Sequence, residues 1–173
     1  MFTITTERAE DGPAIEALLD QAFGPNRKTK ISYRYRDGIA PVPDLKLVAR
    51  DEDERVIGTI RYWPIRIGAK ATLLLGPVAI DPARRGEGIG AALVRQTLEM
   101  AAWARHRIVL LVGDLPYYRQ FGFAPAAPHG VVMPDENPAR VLILGLDAGA
   151  LAGIAGTVRR WRSVRRRGVK QAA

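Results

Sequence analysis

The sequence predicts a single domain of mixed α/β type, in the α+β arrangement. Two observations predict this fold class: a three-stranded antiparallel meander occupies the centre of the chain, and segments with helical periodicity precede and follow it. The predicted order is helix, three strands, helix, strand, short helix and a final strand pair, without internal repeats. With 173 residues, of which 47% are hydrophobic, the chain is long enough to enclose a core.

The first helix is predicted from an apolar stripe that follows Asp11. Its members recur at i, i+3, i+4, i+7 and i+8, and they are Ile15, Leu18, Leu19, Ala22 and Phe23. Aspartate is a favoured N-cap residue, so Asp11 is expected to cap this helix, which Gly24 and Pro25 then end. A short strand at residues 2–5 is predicted before it.

The central meander is predicted from three apolar runs separated by turn residues. The runs are 45–50, 56–67 and 71–80, and the turns are 51–54 and 68–70. Gly76 and Pro77 interrupt the third run. Because proline has no N–H to donate to a sheet, we expect a bulge or a splayed strand edge there.

The second half of the chain adds a helix, a buried strand, a short helix and the last strands. These segments are predicted at 88–105, 108–112, 117–121 and 123–147. Residues 141–158 are apolar enough to resemble a membrane span, with glycines at every fourth position. Asp147 near the centre would oppose insertion by about 2.5–3.5 kcal/mol. The sequence therefore favours a buried strand from Val141, followed by a turn region.

The composition excludes several kinds of site. The chain has no cysteine, which rules out disulfides, thiolate metal sites and a cysteine nucleophile. It has two histidines, His106 and His129, without clustered carboxylates, so no metal is expected. The N-terminus has neither the basic nor the apolar region of a secretory signal, and we expect a cytoplasmic protein.

The net charge of +8 is concentrated at the C-terminus. Seven of the 26 lysines and arginines follow Val158 with no acid among them, which leaves 19 basic against 18 acidic residues in the rest. We expect a domain at 1–158 and a flexible basic tail at 159–173. Such a tail could contact nucleic acid, a ribosome or a membrane surface, but a solubilising tail is favoured.

A glycine-rich loop lies between the last strand of the meander and the helix predicted at 88–105. Its sequence is Asp81-Pro-Ala-Arg-Arg-Gly-Glu-Gly-Ile-Gly90. The free N–H groups of a helix N-terminus bind anions, and glycine lets the backbone approach a pyrophosphate to about 3 Å. A Walker A loop does not fit, since no Lys-Ser/Thr follows. A dinucleotide fingerprint would need Ala91 as its last position and lacks a preceding βαβ unit.

A third kind of phosphate loop fits in full. The acyl-CoA pyrophosphate loop has the pattern Arg/Gln-x-x-Gly-x-Gly/Ala, which Arg85, Gly88 and Gly90 satisfy. A structural turn that packs tightly on a strand is the alternative interpretation of these glycines.

Two motifs resemble the GNAT superfamily of N-acetyltransferases. Residues 75–90 resemble its fourth strand and acetyl-CoA loop, and Tyr118-Arg-Gln-Phe-Gly-Phe123 resembles its Tyr-x-x-x-Gly-Phe element. The element order is similar from the first helix to Asp147, and residues 149–158 resemble a branch of bacterial predicted acetyltransferases of unsettled substrate. The resemblance implies a mostly antiparallel, twisted sheet of about six to seven strands flanked by about four helices, with a splayed fourth strand.

The resemblance also implies a function and particular site residues. Acetyl-CoA would be the acetyl donor, and the acceptor would be a primary amine of an unidentified small molecule or peptide, attacking directly in a ternary complex. The backbone of Val78, Ala79 and Ile80 would hold the pantetheine and thioester. The loop would bind the pyrophosphate through Arg85, Gly86, Glu87, Gly88, Ile89, Gly90 and Ala91. Whether the protein forms a homodimer is left open by the sequence.

Tyr118 would act on the departing sulfur, as thiolate stabiliser or general acid. A phenol with a pKa near 10 is a weaker acid than a thiol with a pKa near 8.5, so a hydrogen bond is favoured over full proton transfer. The general base stays unassigned, because residues 73–80 contain no acid where many members carry glutamate. Asp114 is a candidate base or water-holder, with a structural turn cap as the alternative.

The acceptor identity also stays open at this point. The implied acceptor groove contains basic and aromatic residues that suit an anionic or aromatic acceptor better than a polyamine: Arg27, Lys28, Tyr33, Tyr35 and His129. Two other functions are weighed against the enzyme: a non-catalytic acyl-CoA-binding module, and a nucleic-acid or ribosome-associated protein that acts through the basic tail.

Overall fold

The structure, a computed structural model, describes residues 1–161. Within them the chain forms nine strands and four helices. The strands are β1 (Thr3–Thr6), β2 (Lys46–Arg50), β3 (Val56–Ile67), β4 (Lys70–Ile80), β5 (Ile108–Val112), β6 (Ala124–Pro125), β7 (Val131–Val132), β8 (Val141–Gly145) and β9 (Gly156–Arg160). The helices are α1 (Gly12–Phe23), α2 (Ile31–Arg34), α3 (Ile89–Trp103) and α4 (Leu115–Tyr118).

The strands form one mixed sheet in the order β1-β2-β3-β4-β5-β8-β6, and β9 joins it by pairing with β3 and β7. The β4–β5 and β7–β9 pairs are parallel, and the others are antiparallel. The predicted fold class, a mostly antiparallel sheet flanked by about four helices, is confirmed. The strand number exceeds the prediction because β6 and β7 have only two residues each and β9 was not predicted.

Helices cover both faces of the sheet. On β2, Leu47 and Ala49 belong to the core cluster that contains α3, whereas Val48 belongs to the cluster that contains α1. Because successive residues of a strand point to opposite faces, α1 and α3 lie on opposite sides. The predicted stripe of α1 is buried at Ile15 and Leu19, which are 0% and 1% exposed.

Asp11 stands at the N-cap position of α1, but the predicted capping bond of its side chain is not made. The carboxylate instead accepts hydrogen bonds from the Arg8 amide at 2.7 Å and from the Arg50 guanidinium at 2.9 and 2.7 Å. Burial raises the pKa of Asp11, but the Arg8 amide and the Arg50 guanidinium outweigh burial and lower it. The prediction fails because a buried guanidinium, invisible in the local sequence, competes for the carboxylate.

A bulge in β4 lies at Gly76 and Pro77, whose peptide bond is cis. Ile60 pairs with Val78 and Tyr62 with Leu75, so β4 carries two residues opposite one residue of β3. Because of the extra residue, the side chains that point towards α3 change from odd-numbered to even-numbered positions. Odd-numbered residues contact the core under α3 before the bulge, and even-numbered residues do so after it.

Beyond the bulge, β4 and β5 separate. The two strands pair only at Leu73–Val109 and Leu74–Leu110. Residues 75–80 continue to pair with β3 on one edge, while their other edge has no strand partner within the described part of the chain. The predicted splayed fourth strand is therefore present.

Residues 141–158 form β8, a turn region and most of β9. Among residues 1–161, no helix has both the length and the apolar character needed to cross a membrane. β9 also takes in Arg159 and Arg160, which the predicted boundary at residue 158 assigned to the tail. Because β3 has 12 residues and β2 only 5, the far half of β3 has a free edge, which β9 covers. The predictions about the tail beyond Trp161 lie outside the described residues.

Candidate functional site

The loop between β4 and α3 exposes its backbone. Asp81 caps a 3₁₀ turn by accepting a hydrogen bond from the Ala83 amide at 2.9 Å. Gly86 and Gly88 then have φ of +87° and +79°, a region that favours glycine. A Cβ atom at either position would meet no protein atom within 4 Å. These glycines therefore border open space, as the binding interpretation requires and the structural-turn interpretation does not.

Helix α3 begins at Ile89, with Gly88 as its N-cap. The amide of Ala92 bonds to the Gly88 carbonyl at 2.9 Å. The amides of Ile89, Gly90 and Ala91 precede it and have no acceptor within the helix. These amides and the partial positive charge of the helix terminus form an anion site at the end of the loop.

Two arginines of the loop differ in their pairing. Arg84 donates hydrogen bonds to Glu87 at 2.6 and 2.9 Å. The negative charge of Glu87, a predicted pyrophosphate contact, is therefore already compensated. Arg85 is exposed and has no carboxylate partner within residues 1–161. Arg85 is therefore the cation of this loop that has no carboxylate partner among residues 1–161.

Gly90 has a different role from the other two glycines. Its conformation is helical, and a Cβ atom there would lie 3.1 Å from the Tyr117 hydroxyl oxygen. The expected reason for this glycine, close approach to a pyrophosphate, is thus joined by a second one, the contact with α4. Tyr117, interpreted from the sequence as a packing residue, borders the first turn of α3.

Tyr118 is held by its neighbours. Its ring meets Tyr117 and Phe123 edge-on, with centroid distances of 5.0 and 5.9 Å. A methyl group on Gly113 would overlap this ring, whose Cδ2 atom lies 2.9 Å away, so Gly113 is needed for the ring to lie flat on the backbone. Burial raises the pKa of Tyr118 to about 12, and Tyr117 and Asp114 add to the shift. The hydroxyl is therefore a neutral donor at physiological pH.

A cavity of about 530 Å³ lies where β4 and β5 separate. It brings together three predicted site residues, Val78, Asp114 and Tyr118. It is also lined by the last residue of α1 and by α2. Asp114 lies at the rim, with its side chain 76% exposed and its Oδ1 atom 3.4 Å from Nε of Arg140. Ala79 does not line the cavity, since its side chain is buried against α1.

Sequence reasoning missed several charged residues of this region, among them Glu136 and Arg36. Glu136, from the segment between β7 and β8, lines the same cavity. Arg36 lies in the wall that this cavity shares with a second cavity of about 440 Å³. Neither residue belongs to a recognisable motif, although the alternation of tyrosines and arginines at residues 33–36 was a signal.

The residues expected in the acceptor groove divide into two groups. Tyr33 lines both cavities, and Arg27 and Lys28 line the second. Tyr35 instead packs into the core beside β3 and β8, and His129 lies in a 3₁₀ turn away from both cavities.

A splayed pair of strands beside an anion-binding helix terminus is the arrangement of transferases that use acyl-coenzyme A. Residues 44–125 match the family model described as acetyltransferase (GNAT) domain. The chain is 33% identical over 129 residues to the uncharacterized N-acetyltransferase YhbS of Escherichia coli strain K12, covering 73% of this chain and 75% of that protein. The chain belongs to the GNAT family of N-acetyltransferases.

Other relatives agree with this assignment. The uncharacterized N-acetyltransferase YjhQ of Escherichia coli K12 is 25% identical over 155 residues, covering 85% of this chain and 86% of that protein. The crystal structure of Escherichia coli YhbS in complex with CoA has a TM-score of 0.81 at 28% identity, covering 92% of this chain and 89% of that one. A Brucella melitensis GNAT family acetyltransferase in complex with acetyl-CoA has a TM-score of 0.69 at 32% identity, covering 93% and 96%.

Proposed function

We propose that the protein transfers the acetyl group of acetyl-CoA to a primary amine of a small molecule or peptide, by direct attack in a ternary complex. The observation that carries this proposal is the cavity between β4 and β5, which Val78 and Tyr118 line together. The CoA and acetyl-CoA complexes of two structural relatives support it.

The donor site fits acetyl-CoA, which would supply an activated thioester carbonyl. Gly86 and Gly88 border open space at the N-terminus of α3, so the loop amides and Arg85 would bind the pyrophosphate. The free edge of β4 at Val78, Ala79 and Ile80 offers backbone groups that would bind the pantetheine as an added strand, with an amide polarising the thioester carbonyl.

The acetyl transfer forms a C–N bond and breaks a C–S bond, with the bonding pair going to sulfur. Tyr118 would donate a hydrogen bond to that sulfur. Its pKa of about 12 lies about 3.5 units above that of a thiol, so full proton transfer would be uphill by about 5 kcal/mol. The amine proton would leave through solvent at the rim, where Asp114 would hold water and where Glu136 also lies.

The pH dependence of the reaction follows from the high pKa of Tyr118. An ordinary tyrosine, with a pKa near 10, would be half ionised at pH 10 and would lose its donated proton there. Because burial raises the pKa of Tyr118 to about 12, its neutral form persists at pH 10. We expect kcat/KM to rise with deprotonation of the acceptor amine and to show no fall up to about pH 10. A descending limb that begins near pH 9 would contradict this role of Tyr118.

The glycine loop provides the direct test of donor binding. In Gly88→Ala, the new methyl group would project into the space where the pyrophosphate is expected, and the Kd for acetyl-CoA should rise about 10-fold or more. Gly149→Ala is the matched control: its φ is +77° and its Cβ would also meet no atom within 4 Å, but it lies after β8, at the opposite end of the sheet.

Both variants should lose similar stability, about 1–2 kcal/mol, because alanine is strained at a positive φ. Only Gly88→Ala should lose affinity, as measured by calorimetry with acetyl-CoA. Equal affinities in the two variants would argue against the loop as the pyrophosphate site, and a wild-type protein that binds no acetyl-CoA would refute the proposed function.

A further inference from the structure

Among residues 1–161 three arginines are buried, and one of them has no carboxylate partner there. Arg27, Arg36 and Arg50 are 2%, 8% and 3% exposed. Arg27 contacts two carboxylates of α1, at 2.6 and 2.7 Å, and Arg50 contacts Asp11 at 2.7 Å. Within residues 1–161, Nε and Nη1 of Arg36 are buried without a hydrogen-bond partner. Residues 162–173 contain no aspartate or glutamate.

An unpaired buried guanidinium calls for an explanation. Burial lowers the pKa of Arg36 to about 10, so the side chain still carries its charge at neutral pH. The Tyr33 ring lies 4.7 Å from the guanidinium carbon, but this cation–π contact supplies no hydrogen-bond acceptor to Nε and Nη1. Buried charges in native proteins are paired, and one that lacks a protein partner points to a missing ligand.

Arg36 lies where the two cavities meet. Tyr33, Arg36 and Pro77 line both of them. A Cβ on Gly76 would be 3.3 Å from Nη2 of Arg36, so the guanidinium lies against the bulge of β4. Because Tyr118 lines the first cavity as well, one bound molecule would reach both side chains.

The second cavity has further features that favour an anion. Its lining includes Trp63, whose Nε1 donor is also buried without a partner within the described residues. Five basic side chains line it, and four of them contact a carboxylate: Arg27, Lys28, Arg34 and Arg61. Among residues 1–161, Arg36 is the basic lining residue without such a partner. The uncompensated positive charge at this cavity is therefore that of Arg36.

The pyrophosphate of the donor is not the missing partner. From Gly76 to Asp81 the strand advances by about 16 Å, at roughly 3.3 Å per residue, before the glycine loop begins. Arg36, which contacts the bulge, is therefore too distant from the loop to serve both sites.

We propose that Arg36 binds an anionic group of the acceptor, so that the acceptor is an amine that also carries a carboxylate or a phosphate. This inference rests on the proposed function. The anion lies against Arg36 in the second cavity, with Nε1 of Trp63 as an additional donor, and the amine extends past Pro77 towards Tyr118.

The first test uses pairs of acceptors in which one member carries an anionic group and the other does not. Glycine and β-alanine are compared with their amides, and 2-aminoethyl phosphate with ethanolamine, each with acetyl-CoA. We expect kcat/KM to be about 100-fold higher for the anionic member of the preferred pair. The carboxylate and phosphate pairs together identify the anion.

Substitution of Arg36 then assigns the preference to this side chain. Arg36→Met should bring the anionic member down to the level of its neutral partner and leave the neutral one within about threefold. Arg36→Lys should retain part of the preference, because it keeps the charge without the planar fork. Arg55→Met removes the same charge from an exposed turn and should leave the preference intact.

A binding measurement decides the inference independently of turnover. Calorimetry with malonate, inorganic phosphate and neutral malonamide should detect an anion that binds wild-type protein but not Arg36→Met. The melting temperature of Arg36→Met should not fall, because the unpaired charge does not stabilise the fold. Equal rates within every pair, a parallel loss for both members in Arg36→Met, or anion binding that survives the substitution would overturn the inference. Failure of the proposed function would appear differently, as absent acetyl-CoA binding.

Discussion

Replacing Tyr118 with phenylalanine is expected to lower kcat about 100-fold or more, with little change in the affinity for acetyl-CoA. The hydroxyl would act only on sulfur as the C–S bond breaks, and an interaction made mainly in the transition state appears in kcat. The ring should keep its place, since Gly113 and Phe123 contact carbon atoms that phenylalanine retains. Steady-state release of free CoA with a saturating amine measures the effect.

Tyr62→Phe is the matched control for this substitution. This substitution also removes a single hydroxyl oxygen. The Tyr62 hydroxyl forms a hydrogen bond with Thr97 at 2.9 Å inside the core, away from both cavities. We expect this variant to lose about 1 kcal/mol of stability and to keep its kcat. If Tyr118→Phe kept a kcat within threefold of wild type, the proposed role of Tyr118 would be refuted and a thiolate stabiliser would have to be sought elsewhere.

Arg50→Met is expected to lower the free energy of unfolding by about 3–5 kcal/mol. Asp11 is 5% exposed, and without Arg50 its carboxylate would be left as an uncompensated buried charge. The substitution also disconnects β2 from the turn that begins α1. Urea denaturation monitored by circular dichroism measures the loss.

Two further variants test the cause of this loss. Arg50→Met combined with Asp11→Leu should recover part of the stability, because no buried charge is then left unpaired. Arg55→Met, at an exposed position, should change stability by no more than about 0.5 kcal/mol. A loss below 1 kcal/mol in Arg50→Met would mean that the buried pair contributes no more than a surface ion pair.

Much of the fold could be predicted because the relevant patterns are local. Helices α1 and α3 and strands β2 to β4 follow from apolar periodicity and from turn residues beside them. Strand β9 was missed because its residues, Gly-Thr-Val-Arg-Arg, carry a single large apolar side chain and resemble a basic tail. Its assignment to the sheet depends on the free edge at Ile65–Ile67 of β3, about ninety positions earlier in the chain.

The candidate site, like the fold, could be predicted where it depends on adjacent residues. The glycine loop is a local structure, whose positive φ angles and helix N-terminus follow from adjacent residues. The alternation of tyrosines and arginines at residues 33–36 does not single out Arg36, because an arginine between Tyr35 and Asp37 is normally solvated. The burial of Arg36 results from the packing of several elements that are distant in sequence, and the lack of partners for Nε and Nη1 within residues 1–161 appears only in the folded chain.

The bulge of β4 has a consequence for how this enzyme can diversify. Gly76, with φ of +120°, both opens the strand and leaves room for the Arg36 guanidinium. A side chain at this position would disturb both proposed substrate sites at once, so we expect a change of acceptor to begin elsewhere. We expect new acceptor preferences at Tyr33, which borders both cavities, and at Trp63, which borders the second, because neither belongs to the bulge of β4.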